Sequence, residues 1–446
     1  MLGEQKIRMI TNKILSLSTA DQTEVLFLGE DSGLTRFANS YIHQNVAECN
    51  AELRVRVVVG KRIGVASTND LGDEALQRVV ETAMTIASLQ HENPDFISLP
   101  EPAPLPKVNG FIERTAAFTP EERARAVSVI CQLAKEKGLT ASGAFTTSTY
   151  ELAVANSLGI FAYYPTTLAD LNTVIMSDSS SGYANATSLD VAEIDPEAVA
   201  SEAVRKAIRS RGPQEIEPGQ YAVILEEYAV ADLLLHLSHL GFGALAVQER
   251  RSFMCDRFGE RIVDERISIW DDGLDPKGLP LPFDFEGVPK QRVNLIERGI
   301  AKAVVYDSYT AGREEGKRST GHALPAPNTY GPTPLNLFMG AGEATKEEML
   351  ASTERGIWVT RFWYTNPVHP LKTIITGMTR DGTFLIEGGD IARPIKNLRF
   401  TQSILEALSR VEMIGRTTKL ERAFFGAIRV PALKIGGFNF TGTTQF

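Results

Sequence analysis

Apolar residues recur in this chain at two spacings, and the dominant spacing changes along it. Leu76, Val79, Val80, Ala83, Ile86 and Ala87 fall three and four apart, which predicts an amphipathic helix from Asp73 to Leu89. Just before it, Leu53 to Thr68 carries two β-branched runs around Gly60-Lys61, a hairpin signal. The opening MLGEQKIRMITNKIL reads as the start of an amphipathic helix and lacks the basic, apolar and small-residue order of a cleaved leader. FTPEERARAVSVICQLAKEKG is a punctuated helix. Thr119 caps it, Pro120 suits the first helical position, Glu122 completes a capping box and Gly138 stops it. Val127, Ile130, Cys131 and Ala134 share one face, which makes Cys131 a core residue rather than a nucleophile. STYELAVANSLGIFAYYPTT and ADLNTVIMSDSSSGYANATS read as paired strands with a turn at residues 156–159. DPEAVASEAVRKAIRSRGP is a further helix, capped by Asp195 with Pro196 at its first position and basic residues in its last turn.

GPQEIEPG, residues 212–219, has linker composition, and the strand QYAVILE follows it. Beyond it, short β runs separated by turn signals dominate: RVNLIERGIAKAVVYD, GIWVTRFWYT and LKTIITGMTRDGTFLIEGGD. Asp381-Gly382, between alternating strands, predicts a hairpin turn. Two helices interrupt this half: ATKEEMLASTERG, with Thr345 and Glu348 as a capping box and Gly356 as the stop, and TQSILEALSRVEMIG. The expected fold class is α+β in two domains: a mixed α/β N-terminal domain over residues 1–212 and an antiparallel β-rich C-terminal domain over 220–446.

Composition narrows the function classes. A net charge of −9 and the lack of a basic run with interleaved aromatics argue against direct nucleic acid binding. Three scattered cysteines, Cys49, Cys131 and Cys255, cannot form a paired disulfide framework, and they suit reduced thiols and a cytoplasmic location. Residues 228–247 are nearly free of charge, but Asp232, His236, His239, Gly241 and Gly243 within them predict a buried helix and no membrane span. His236 and His239 lie three apart, so a helix places them on one face, as two metal ligands would be. A metallopeptidase also needs a carboxylate base beside them, yet Leu237 follows His236 and no acid stands between Asp232 and Glu249. AGREEGKRST, residues 311–320, has its glycines one residue too close for a phosphate-binding loop and reads as an exposed basic loop. Asp271-Asp272 before Gly273 reads as a turn, and no serine–histidine triad can be drawn from spacing.

Seven phrases in order carry a resemblance. They are TRFANSYIHQ (35–44), RVRVVVGKRIGVAST (54–68), VANSLG (154–159), PFDFEGVPKQRVNLIERGI (282–300), STGHA (319–323), NTY (328–330) and RVPALKIGGFNFTG (429–442). Together they resemble the TldD/PmbA family, long labelled modulators of DNA gyrase, from about residue 30 to the C-terminus. The resemblance implies a two-domain α+β fold and a role in cytoplasmic peptide cleavage or maturation. TldD-type members carry an H-E-x-x-x-H helix and a distal cysteine as zinc ligands; TldE (PmbA)-type members lack that site. Carried over, the metal helix falls on LSHLGFGAL, with Leu237 at the first ligand, Ser238 at the base and Phe242 at the second ligand. LERAFFGAIRVPALKIGG, residues 420–437, supplies no cysteine. PFDFEGV and STGHA look closer to the TldE type. The resemblance therefore implies no catalytic, cofactor-binding or metal residue in this chain. The chain is expected to be inactive alone and to join a TldD-like metallopeptidase subunit that carries the zinc. The peptide substrate would be held as an extended strand. Two alternatives stand beside this: an active metallopeptidase with a divergent metal site at His236 and His239, and a regulatory protein, homodimeric, of the gyrase-modulator kind.

Overall fold

The computed structural model describes residues 1–423 and 426–444. The chain opens with α1 (Glu4–Leu17), then β1 (Gln22–Ala38), β2 (Tyr41–Val59), β3 (Arg62–Thr68) and α2 (Asp73–Leu89). A short α3 (Glu113–Ala116), α4 (Pro120–Glu136), β4 (Thr140–Asn156), β5 (Phe161–Met176), β6 (Ser181–Ser188) and α5 (Pro196–Arg209) follow. The six strands form one antiparallel sheet in the order β3-β2-β1-β4-β5-β6.

Strand alternation gives this sheet two different faces. Val25 and Phe27 pack with Leu76, Val79 and Val80 of α2, while α4 and α5 cover a second apolar cluster over β4, β5 and β6. Leu26 points the other way, to Leu152, Val154 and Phe283, the last from the second half of the chain. The capping residues act as the sequence predicts. Thr119 Oγ1 accepts from the Glu122 amide, the Glu122 carboxylate accepts from the Thr119 amide, and Asp195 accepts from the amides of Glu197 and Ala198.

The second half runs β7 (Gly219–Leu225), α6 (Glu227–Gly241), α7 (Ala244–Gln248), β8 (Ile269–Asp271), β9 (Val293–Glu297), β10 (Ile300–Ala301), α8 (Ser308–Gly312) and β11 (Asn336–Met339). Then come α9 (Lys346–Ala351), β12 (Arg355–His369), β13 (Ile374–Glu387), β14 (Asp390–Pro394), β15 (Leu398–Ser403), α10 (Ile404–Leu408), β16 (Val411–Arg422) and β17 (Ala427–Thr443). The path β17-β15-β13-β12-β7 closes on itself because the long β17 also pairs with β7. Most pairings are antiparallel, as expected; β7–β12 and β11–β17 run parallel. α6 lies on β7, β12 and β17, and its buried leucines belong to the largest apolar core of the molecule. Among the described residues, no helix is long and apolar enough to cross a membrane. All three cysteines are free thiols.

Three local expectations are corrected. Asp381-Gly382 is not a hairpin turn but lies inside β13, with φ 57° and 125° at its two residues. The register against β12 shifts there, so the pair forms a bulge, and the buried Asp381 carboxylate is held by Arg361 Nε at 2.6 Å. The helix after Thr345 ends at Ala351, and Gly356 already belongs to β12. TQSILEALSRVEMIG holds only the short α10, flanked by β15 and β16, because its apolar residues serve two buried strands as well as one helical turn.

Candidate functional site

α6 follows β7 directly. Its Glu226 cap residue is anchored on both carboxylate oxygens: Trp358 Nε1 donates to Oε1 and Lys206 Nζ to Oε2, at 2.6 and 2.7 Å. Leu233, Leu234 and Leu237 are fully buried. The helix stops at Gly241, where an added Cβ would stand 2.6 Å from Phe253, and the Gly241 carbonyl accepts from Ser252 Oγ at 2.8 Å. The positions onto which the resemblance carries the metal motif, Leu237, Ser238 and Phe242, lie in the last turn of α6 and just past it. Leu237 and Phe242 are wholly enclosed and Ser238 is buried; Phe242 meets the Phe253 ring edge-on at 5.5 Å.

His236 is half-buried and His239 exposed on the same helix. Partial desolvation lowers both imidazoles, His236 to about 4 with the neighbouring His239 adding to the effect, so His236 is neutral near pH 7. Among the described residues, no three or more His, Cys, Asp or Glu side chains gather as a metal-ligand set. Phe424 and Phe425, in the segment where the family has its distal cysteine, lie outside the described residues. Among the described residues, the donors at this end of α6 thus do not fit a catalytic zinc, which takes three protein ligands.

One to two turns earlier, α6 faces something different. Tyr228 and Asp232, four apart on one helix face, open into a cavity of about 360 Å³ between the two sheets. Tyr183 and Asn185 reach it from β6, Arg361 and Trp363 from β12, and Glu421 from β16. β6 and β12 each contribute a pair of residues two apart, which alternation places on one face. Asn185 Nδ2 donates to Glu421 Oε2 at 2.6 Å, but Glu421 Oε1 and Asn185 Oδ1, both buried, have no partner. Arg361 is held against Asp381 and stacks over Tyr183, 4.1 Å from its ring centre. Burial pushes the Asp232 carboxyl up to about 7 against the charge of Arg361. Burial likewise pushes Glu421 up to about 8; Lys419 and the Asn185 hydrogen bond oppose the rise, and Asp170 and Asp232 add to it. Paired carboxyls with displaced pKa values in a cleft mark a functional-site candidate.

Behind Tyr228 a charge network ties the halves together. Lys206 Nζ contacts Glu202 and Glu226, each at 2.7 Å, and Lys419 Nζ donates to the Asn185 carbonyl at 2.7 Å. The Asp271-Asp272 stretch divides in role. Asp272 Oδ1 accepts from the Leu274 amide in the expected turn, whereas Asp271 is fully buried in β8 and bonds His322 Nε2 at 2.8 Å. His322 Nδ1 meets Thr320 Oγ1 at 2.9 Å, so the fold assembles a triad that spacing did not reveal. His322 and Asp271 are both at 0 % exposure, and Thr320 Oγ1 is also held by the Tyr306 amide and carbonyl at 2.8 and 3.1 Å, which suits a structural role. The loop after α8 is exposed, as expected.

Residues 23–87, 113–211 and 218–442 match, in order, domain 1, the central domain and the C-terminal domain of the PmbA/TldA metallopeptidases. The chain is 26% identical over 407 residues to the metalloprotease PmbA of Escherichia coli O157:H7, covering 86% of this chain and 85% of that one. It is 26% identical over 397 residues to a metalloprotease TldD homologue of Haemophilus influenzae, covering 82% and 80%. Among solved structures, TldE from Thermococcus kodakarensis superposes with a TM-score of 0.89 at 20% identity, over 98% of this chain and all (100%) of the other. A proposed modulator of a DNA gyrase from Thermotoga maritima gives 0.87 at 19% identity, over 98% and 100%. At these identities the two structures speak to the fold.

Proposed function

This chain belongs to the PmbA/TldD metallopeptidase family, and from that premise we propose that it is a TldE-like, non-catalytic subunit of a two-chain peptidase. The observation that carries this reading is the packing at the end of α6. Leu237 and Phe242, where metal ligands would stand, are at 0 % exposure inside an apolar core. A zinc there would have neither donors nor a face open to substrate, and without it no bound water is acidified for attack. On this reading zinc and base come from a TldD-type partner, and this chain completes the channel that holds the peptide.

An extended peptide is recognised by main-chain pairing along a free strand edge. The closed path of the second sheet removes several such edges. In the first sheet, β3 covers β2 only from Leu53 onward, so the outer edge of residues 41–52 is left unpaired among the described residues. We place the boundary between the two functional halves at residues 212–219, the segment between the sheets.

The test is reconstitution. The purified full-length chain should bring no zinc and cleave no peptide alone, form a stable complex with a TldD-type subunit, and change that subunit's peptide cleavage. Absence of a complex together with unchanged cleavage would end this reading. Stoichiometric zinc lost on His236→Ala would replace it with the divergent-site peptidase.

A further inference from the structure

We propose that the cavity between the two sheets binds a basic group of a peptide: a lysine ammonium, an arginine guanidinium or a chain-terminal ammonium. Two buried hydrogen-bond acceptors of the cavity lining have no donor among the described residues. Glu421 Oε1 and Asn185 Oδ1 are unpartnered on side chains only 9% and 6% exposed. Buried acceptors without donors are costly, so a site that holds two of them awaits a ligand that donates. Asp232 adds a carboxyl from α6.

The balance of charge points to the same ligand. Asp170 from β5, Asp232 from α6 and Glu421 from β16 face the cavity; Arg361 from β12 and Arg422 from β16 answer them, with Lys419 of β16 beside it. Arg361 is already committed to Asp381 of β13, and Lys419 to the Asn185 carbonyl. Burial raises Asp232 and Glu421 even with Arg361 and Lys419 opposing it, so the cations present do not offset the cost of charging these carboxyls. A single metal ion would need its ligands within one coordination sphere, and no such set exists among the described residues. An organic cation spreads its N–H donors and can span separated acceptors. At about 360 Å³ the cavity is at the small end of ligand sites, a size for one side chain or chain end. The Tyr183, Tyr228 and Trp363 rings provide walls for an aliphatic stem. That the ligand is a peptide rests on the subunit reading above; binding of the cation does not.

The experiment uses the full-length chain and calorimetry at low salt. Nα-acetyl-lysine amide and Nα-acetyl-arginine amide present only a side-chain cation and leucinamide only a terminal ammonium; Nα-acetyl-norleucine amide, Nα-acetyl-citrulline amide and Nα-acetyl-leucine amide are their respective neutral counterparts. At least one cationic probe should bind about tenfold or more tightly than its neutral counterpart, and the strongest identifies the source. Glu421→Gln and Asp232→Asn should each weaken it about tenfold. Because burial raises Glu421 to about 8 and Asp232 to about 7, a cation that charges them near pH 7 should also release protons, read from wild-type titrations in two buffers of different ionisation enthalpy. That measurement serves if the variants fail to fold. No binding, equal binding of the neutral probes, undiminished binding by both folded variants, or no proton release overturns the proposal. A chain that binds the cation but joins no TldD-type partner would refute the subunit reading and leave this one standing.

Discussion

Glu421 shows what one buried carboxyl does to the pH response of the whole chain. Its pKa in the fold is about 8, pushed up by burial, against an ordinary value of 4.5 when exposed. Between these values the folded chain holds a proton that the unfolded chain has lost, so stability falls as pH rises across that window. The contribution is complete below about pH 4 and is gone once pH passes the folded value. Asp232, Glu24 and Asp284, each raised to about 7 chiefly by burial, slope the same way. His236, lowered to about 4, acts oppositely: its contribution is present above its ordinary 6.5 and is lost as pH falls through 4. Glu421→Gln should therefore show a smaller loss of urea-unfolding midpoint than wild type between about pH 5 and pH 8.5. Parallel losses in the two proteins would mean that this carboxyl ionises freely in the fold. Asp232 was visible in the sequence as an acid within an apolar helix, but nothing local tied it to Glu421.

At the scale of elements, side chains that act within one turn behaved as their sequence predicts. The Thr119 and Thr345 capping boxes, the Asp195 cap and the Gly60-Lys61 hairpin all form. Asp381-Gly382 fails as a hairpin because β13 continues through it, paired with β12 on both sides of the bulge. Gly382 stays indispensable for another reason. Its φ is 125°, and a Cβ would stand 2.6 Å from Thr360 Oγ1. Gly382→Ala should cost about 1–3 kcal/mol in urea unfolding, with the core of the second sheet otherwise intact. A loss below about 0.5 kcal/mol would mean that the bulge relaxes freely and does not position Arg361 through Asp381.

Across the whole molecule, the two halves meet through polar contacts as well as apolar ones. Arg56 of β2 lies between Glu24 of β1 and Glu286 from the loop before β9, at 2.6 and 3.0 Å. Nearby, Phe283 completes the apolar cluster of Leu26, Leu152 and Val154. Removing the guanidinium would leave two carboxyls facing each other with little water to screen them. Arg56→Met should destabilise the chain by roughly 3 kcal/mol at neutral pH, with part of the loss recovered in acid as Glu24 takes up a proton. Thermal unfolding at two pH values checks this, and a loss that does not depend on pH would place the effect in packing instead.

The sequence by itself determined the class of fold and the helices whose caps and periodicity agree. These are decided within a turn or a few pleats, where the free energy depends on near neighbours. Tertiary structure alone decided the bulge at Gly382, the buried Asp271–His322 pair and the cavity built from Tyr183, Asn185, Asp232, Arg361 and Glu421. Those residues come from four elements that meet only when the two sheets pack. Long-range burial raises the carboxyl pKa values and leaves acceptors unpaired, and no spacing along the chain encodes that.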